Sequence, residues 1–353
     1  MRLLAAATIA FLFVAGPLAA EPPSYGSINK TLADAVIMPA YADYAAAMAD
    51  LAPAIEPYCT EPDEAGLESA RQGFTHAMKA WQRVQPVAFG PVLEDGRASR
   101  VQFWPDKHGT AGRQLRQALA EEDPALIDGG VAGKSAALQS LASLEVLLFG
   151  EPEGPSAYGC ELAVAIGRFQ GDLAAEVLAA WRGEGGFYES FTGADDGNDQ
   201  FYDAAEAHTA LFKAMLANLD VIVAQKLERP LDDKLEDARP KRAESWRSER
   251  SLDNIAANLE TIQALYVADG GLNLWLQGGG LDSLNELMGK LLTEALATAD
   301  GIGMPLEQAV GNADARPGVE ALLAVIKRLR VLIATSLADA AGVTLGFNAT
   351  DGD

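Results

Sequence analysis

The chain has 353 residues, of which 50 are acidic and 27 basic, giving a formal net charge of −23. So acidic a surface repels nucleic acid and anionic lipid, and nucleic acid is excluded as a partner. The three histidines, His76, His108 and His208, form no HxxH, HExxH or HxxE pattern, which argues against zinc proteolysis built on a histidine pair.

Residues 1–20 read as a secretory signal: Arg2 is the positive start, Leu3 to Ala15 the apolar run, and Pro17-Leu18-Ala19-Ala20 the small-residue exit. The run is too short to span a membrane, and no cysteine follows it to carry a lipid anchor. The expectation is a soluble, exported protein, periplasmic in a Gram-negative cell. About 333 residues remain, enough for one large or two smaller domains.

Helical periodicity dominates that remainder. Leu67, Ala70, Phe74, Ala77, Met78, Trp81 and Val84 fall at three-four spacing. The same spacing links Leu162, Ile166, Phe169, Leu173, Val177 and Trp181, and it recurs along 252–265 and 322–337. Helices are predicted near 28–54, 64–85, 106–121, 133–149, 158–182, 201–227, 248–267, 281–299 and 316–340, with at most short extended pieces at 87–89 and 100–103. The fold class is all-α. The Gly/Asp-rich stretch Gly183–Asp199 is the best linker, dividing the chain into helical bundles over 21–183 and 200–350. Gly270–Gly280, GGLNLWLQGGG, reads as a loop. Two cysteines in an exported chain most simply pair, so Cys59 and Cys160 are expected to form one disulfide closing a loop of about 100 residues.

The segment Ser140–Gly150, SLASLEVLLFG, sets one ionisable residue, Glu145, among Leu141, Leu144, Leu147, Leu148 and Phe149. A carboxylate there must be neutralised by a cation, by a paired Arg or by protonation. Three further blocks stand out: WQRVQPVAFGP from Trp81, RVQFWPD from Arg100, and PKRAESWRSERSLDNI from Pro240, with a chain ending of LGFNATDGD. Together these segments resemble the imelysin-like family, in which Gly-x-His-x-x-Glu precedes Leu-Leu-aromatic-Gly. Here Glu145 and the LLFG ending stand, while the His position is Ala142 and the Gly position Ser140. The likeness covers nearly all of 21–350. It implies two antiparallel four-helix-bundle-like halves packed side by side, and a link to peptidase activity or iron acquisition. With Ala142, zinc loses its nitrogen donor, whereas a hard cation such as iron(III) can still use oxygen ligands.

Asp106 in WPDKHG is a good N-cap and, with His108, a candidate ligand. The stretch Arg239–Arg250 holds five basic residues, which either bind an anion such as a chelator or pair with the protein's own carboxylates. The candidate ligand-binding cleft is Arg100, Asp106, Glu145, Glu244, Arg247 and Arg250, with Glu145, Asp106 and His108 as candidate metal ligands and iron as the implied metal. His76 reads as a packed or surface residue of an amphipathic helix and His208 as a surface residue. The resulting expectation is a non-enzymatic component of iron acquisition that binds a metal ion or metal chelate and serves a membrane iron-transport or redox partner. A metal-dependent peptidase, or a scaffold that binds no metal, are the alternatives.

Overall fold

A computed structural model describes residues 24–151, 154–340 and 342, and the described residues are helical with no strands. The signal segment and the ending LGFNATDGD lie outside them. The first half contains α1 (Tyr25–Leu32), α2 (Met38–Ala49), α3 (Leu51–Thr60), α4 (Glu64–Val84), α5 (Thr110–Glu121), α6 (Leu141–Phe149) and α7 (Ala157–Arg182). Its bundle is formed by α2, α3, α4 and α7, with α6 packed on α4 and α7. The second half contains α8 (Ala204–Val221), α9 (Ser251–Val267), α10 (Asp282–Gly301) and α11 (Arg316–Leu332). In it α11 joins α8 to α10, and α10 packs on α9.

The apolar stripes explain this packing. Every member of the Leu67-to-Val84 series is buried, as are Ile255, Leu259, Ile262 and Leu265 of α9. The two stripes let α4 and α9 pack together across the halves, so one continuous core runs from α1 to the end of α11. Side-chain caps fix the starts of the long helices: Asp63 accepts from the Gly66 N–H, Ser156 from Gly159 and Asp203 from Glu206. The stretch Ala204–Leu231 is long and apolar enough to cross a membrane by composition, but 56% of its 18-residue apolar window is buried inside the fold.

The elements differ from expectation where a local residue intervenes. The helix predicted over 28–54 breaks at Asp50, because Pro53 has no N–H to donate to the carbonyl of Ala49. The helix predicted over 133–149 is interrupted by extended Ser140, which becomes the N-cap position of α6. Gly270–Gly280 is not a loop throughout, since Leu272–Gly278 forms a short helix that buries Leu272, Trp275 and Leu276. In the connection Gly183–Asp199, Phe187 and Phe191 pack against Phe89 and Phe201, giving this Gly-rich segment an apolar anchor. His208 is fully buried, not on the surface, and lies among Tyr25, Phe212 and Trp275. Cys59 near the end of α3 and Cys160 in the first turn of α7 are joined by the expected disulfide.

Candidate functional site

Glu145 sits on α6, where the apolar neighbours that build the helix also remove its carboxylate from water, leaving the residue 6% exposed. The loop Ser245–Arg250 from the second half comes to it. Glu145 Oε1 accepts the Arg247 N–H at 3.1 Å, the Ser248 N–H at 3.0 Å and the Ser248 hydroxyl at 2.9 Å. The loop can present successive N–H groups to one oxygen because Ser245 and Glu249 adopt left-handed backbone conformations (φ 52° and 59°). Burial pushes the Glu145 carboxyl above the usual carboxylate range, opposed by these donors and by the positive charge of Arg247. The carboxylate is thus held chiefly by amides and a hydroxyl, supplied by the turn it organises.

Glu244, at the start of the same loop, is anchored separately. It is 1% exposed and pairs at 3.0 Å with Lys226, which is equally buried. Lys226 also donates to the side-chain oxygens of Gln82 (2.6 Å), Gln85 (3.0 Å) and Asn258 (2.7 Å). The Glu244 carboxylate accepts from Gln102 (2.9 Å) and Asn254 (3.0 Å). Burial pulls the Lys226 ammonium down, and Glu244 holds it up. Lys226 lies in a π-helical turn, Ile222–Glu228, that extends α8. Fixed by Glu244 at its start and by Glu145 at its middle, the loop projects Trp246 and Arg247 into a cleft between the halves.

That cleft has a volume of about 510 Å³ and is bordered by Ala142, Glu145, Asp106 and His108. Six cationic side chains line it: Arg113 and Arg116 from α5, Arg229, Lys241, Arg242 and Arg247. Against them stand only two carboxylates, Asp106 and Glu145, so a protein of net charge −23 keeps a positive cleft. Within the basic block, Arg239 pairs with Asp232 at 2.9 Å and Arg250 with Asp253 at 2.9 Å. Lys241, Arg242 and Arg247 have no carboxylate of the described residues within ion-pair distance. Lys241 and Arg247 instead sit over the ring of Trp246, at 5.4 and 4.3 Å from its centre. Burial and the neighbouring charge of Arg242 both depress the Arg229 guanidinium, and burial depresses Arg247. Crowded cations of this kind are relieved by an anion.

The sequence-predicted residues therefore separate. Asp106, His108, Glu145 and Arg247 line one cleft. Asp106 spends its carboxylate on the N–H groups of Ala111 (2.9 Å) and His108 (3.3 Å), at the start of α5, and His108 is exposed. Arg100 lies elsewhere, bonded to Gln139 at 3.0 Å and over Phe169, while Glu244 belongs to the Lys226 network and Arg250 faces Asp253. Among the described residues no three His, Cys, Asp or Glu side chains come together as a metal site. Oε1 of Glu145 is committed to three donors, its helical neighbour three residues earlier is Ala142, and no other carboxylate or imidazole of the described residues gathers with it, so the residues present do not suit a bare metal ion. Sequence reading missed Lys226 and the amide cage around it, and also Arg113, Arg116 and Arg229. The available signals were a lysine inside the apolar run VIVAQKL and two arginines three apart on one face of α5.

Comparison with known proteins supports the fold. A structure of an imelysin-like protein from Psychrobacter arcticum 273-4 superposes with a TM-score of 0.79 at 19% identity, covering 93% of this chain and all of that one. A Parabacteroides distasonis ATCC 8503 structure with the provisional name iron-regulated protein A precursor gives 0.76 at 15% identity, covering 89% of this chain and 95% of that one. At these identities both matches speak to fold alone. Iron-regulated protein A of Synechococcus elongatus is 25% identical over 237 residues, 65% of this chain, which spans about 62% of that relative's length. The imelysin family model (Peptidase_M75) matches residues 37–334, and the chain belongs to the imelysin family.

Proposed function

We propose that this protein is a non-enzymatic component of iron acquisition that binds iron as an anionic chelate in the cationic cleft. The observation that carries this reading is the set of Lys241, Arg242 and Arg247 side chains, with no carboxylate of the described residues within ion-pair distance, around a 510 Å³ concavity in an otherwise acidic protein. Guanidinium forks suit carboxylate or other oxyanion groups on a chelator, and the cleft walls exclude part of the competing water. Glu145 acts here as the internal anchor of the Trp246–Arg247 turn. The iron connection is supported by the relative named iron-regulated protein A. The Cys59–Cys160 disulfide supports an oxidising compartment, consistent with export to the periplasm and hand-over of the chelate to a membrane transport or redox partner.

Calorimetric titration of the purified protein with ferric citrate, and separately with unchelated iron(III) kept soluble at low pH, tests the reading. The chelate should bind and the paired variant Arg242→Gln/Arg247→Gln should weaken it at least tenfold, with affinity falling as salt rises. Tight binding of the bare cation that survives this double substitution would refute the chelate cleft.

A further inference from the structure

The cleft is aromatic as well as cationic. Phe103 and Trp104 line one part of it and Trp246 another. Trp246 is half-buried and carries a cation on its ring twice, Lys241 at 5.4 Å and Arg247 at 4.3 Å. These cations lie on an aromatic ring and not against carboxylates, and the neighbouring Arg229 and Arg242 repel each other. A purely aliphatic polycarboxylate would satisfy the charges but leave the indole and phenyl walls against water. A ligand with charged oxygens on the edge of a planar ring satisfies both. Its oxygens take the guanidinium N–H groups, and its ring packs on Phe103, Trp104 or Trp246 with cations over its face.

We infer that the chelate class this cleft is built to take is an aromatic one, iron(III) held by catecholate-type rings, in preference to an aliphatic hydroxycarboxylate complex. The inference rests on the anionic-chelate reading above and narrows it. Trp246 is the residue that confers the preference, and Glu145 and Glu244 position it through the loop they anchor.

The test compares two probes on the purified protein, the iron(III) complex of 2,3-dihydroxybenzoate and iron(III) citrate. Tryptophan quenching and calorimetry give affinities, and circular dichroism in the visible band of the catecholate complex reports capture in a chiral site. The catecholate complex should bind at least tenfold more tightly than the citrate complex. Trp246→Leu should collapse that ratio to within about threefold, the catecholate complex losing more affinity than the citrate complex. Lys241→Gln, which leaves the indole and the loop in place, should reduce the ratio in the same direction and guards against a misfolded Trp246 variant. Equal affinities in the wild type, or a ratio that Trp246→Leu and Lys241→Gln both leave intact, overturn the aromatic preference but leave the anionic cleft standing. Binding of neither complex overturns both.

Discussion

Ser248 gives Glu145 two hydrogen bonds from one residue, its backbone N–H at 3.0 Å and its hydroxyl at 2.9 Å, both to Oε1. This contact joins α6 of the first half to the turn that precedes α9 in the second. It makes the carboxylate a structural counterpart of the bound anion that such a run of N–H groups would otherwise hold.

Substitution of Glu145 separates anchoring from ligation. Glu145→Ala leaves buried donors of Arg247 and Ser248 without an acceptor and should cost about 2–4 kcal/mol, read from the urea midpoint. Glu145→Gln keeps an acceptor oxygen and should cost about 1 kcal/mol. Because it also removes a negative charge from a cationic cleft, Glu145→Gln should strengthen binding of ferric citrate. Were Glu145 a direct iron ligand, the same substitution would weaken it.

The Lys226–Glu244 pair should behave as a coupled unit. Lys226→Met leaves Glu244 as an uncompensated buried charge and strands the oxygens of Gln82, Gln85 and Asn258. A loss of about 3–5 kcal/mol is expected, and a similar loss for Glu244→Leu. The double variant should recover a large part of the sum, measured as coupling in a double-mutant cycle. Additive losses would show that the pair is not one unit.

Most of the helical fold was legible because its cause is local. The Leu67-to-Val84 and Ile255-to-Leu265 stripes each declare a buried face. Glu145 stood out because a charge in SLASLEVLLFG has no local partner. What could not be read was which partner it finds, since Arg247 and Ser248 lie 102 and 103 residues away. Composition likewise announced five basic residues in Arg239–Arg250, but their separation into paired Arg239 and Arg250 and cleft-lining Lys241, Arg242 and Arg247 depends on where Asp232 and Asp253 fall. His208 reads as a surface residue because its partner is remote in sequence: Asn29, from α1, meets it in the core at 2.7 Å.

The disulfide should contribute substantially to stability, because it closes a loop across 101 positions between α3 and α7. Chain entropy puts its contribution at up to about 4.7 kcal/mol. No free thiol should be found in the denatured, unreduced protein. Reduction, or the pair Cys59→Ala and Cys160→Ala, should lower the urea midpoint without changing the far-UV spectrum. Two reactive thiols in freshly isolated protein would contradict it.

His208 should make the protein acid-sensitive. Its Nδ1 faces Asn29 Oδ1, Nε2 has no hydrogen-bond partner among the described residues, and burial lowers the ring from 6.5 to about 4. Between those values the unfolded chain binds a proton that the native state refuses. Its contribution to stability is therefore present above pH 6.5 and lost as pH falls towards 4, by about 3 kcal/mol in all. Urea titrations at pH 7, 5.5 and 4.5 should show this decline. In His208→Asn, whose amide can still donate to Asn29, the decline should be shallower over the same window even if stability at pH 7 is lower. An unchanged slope in that variant would assign the acid sensitivity to other groups.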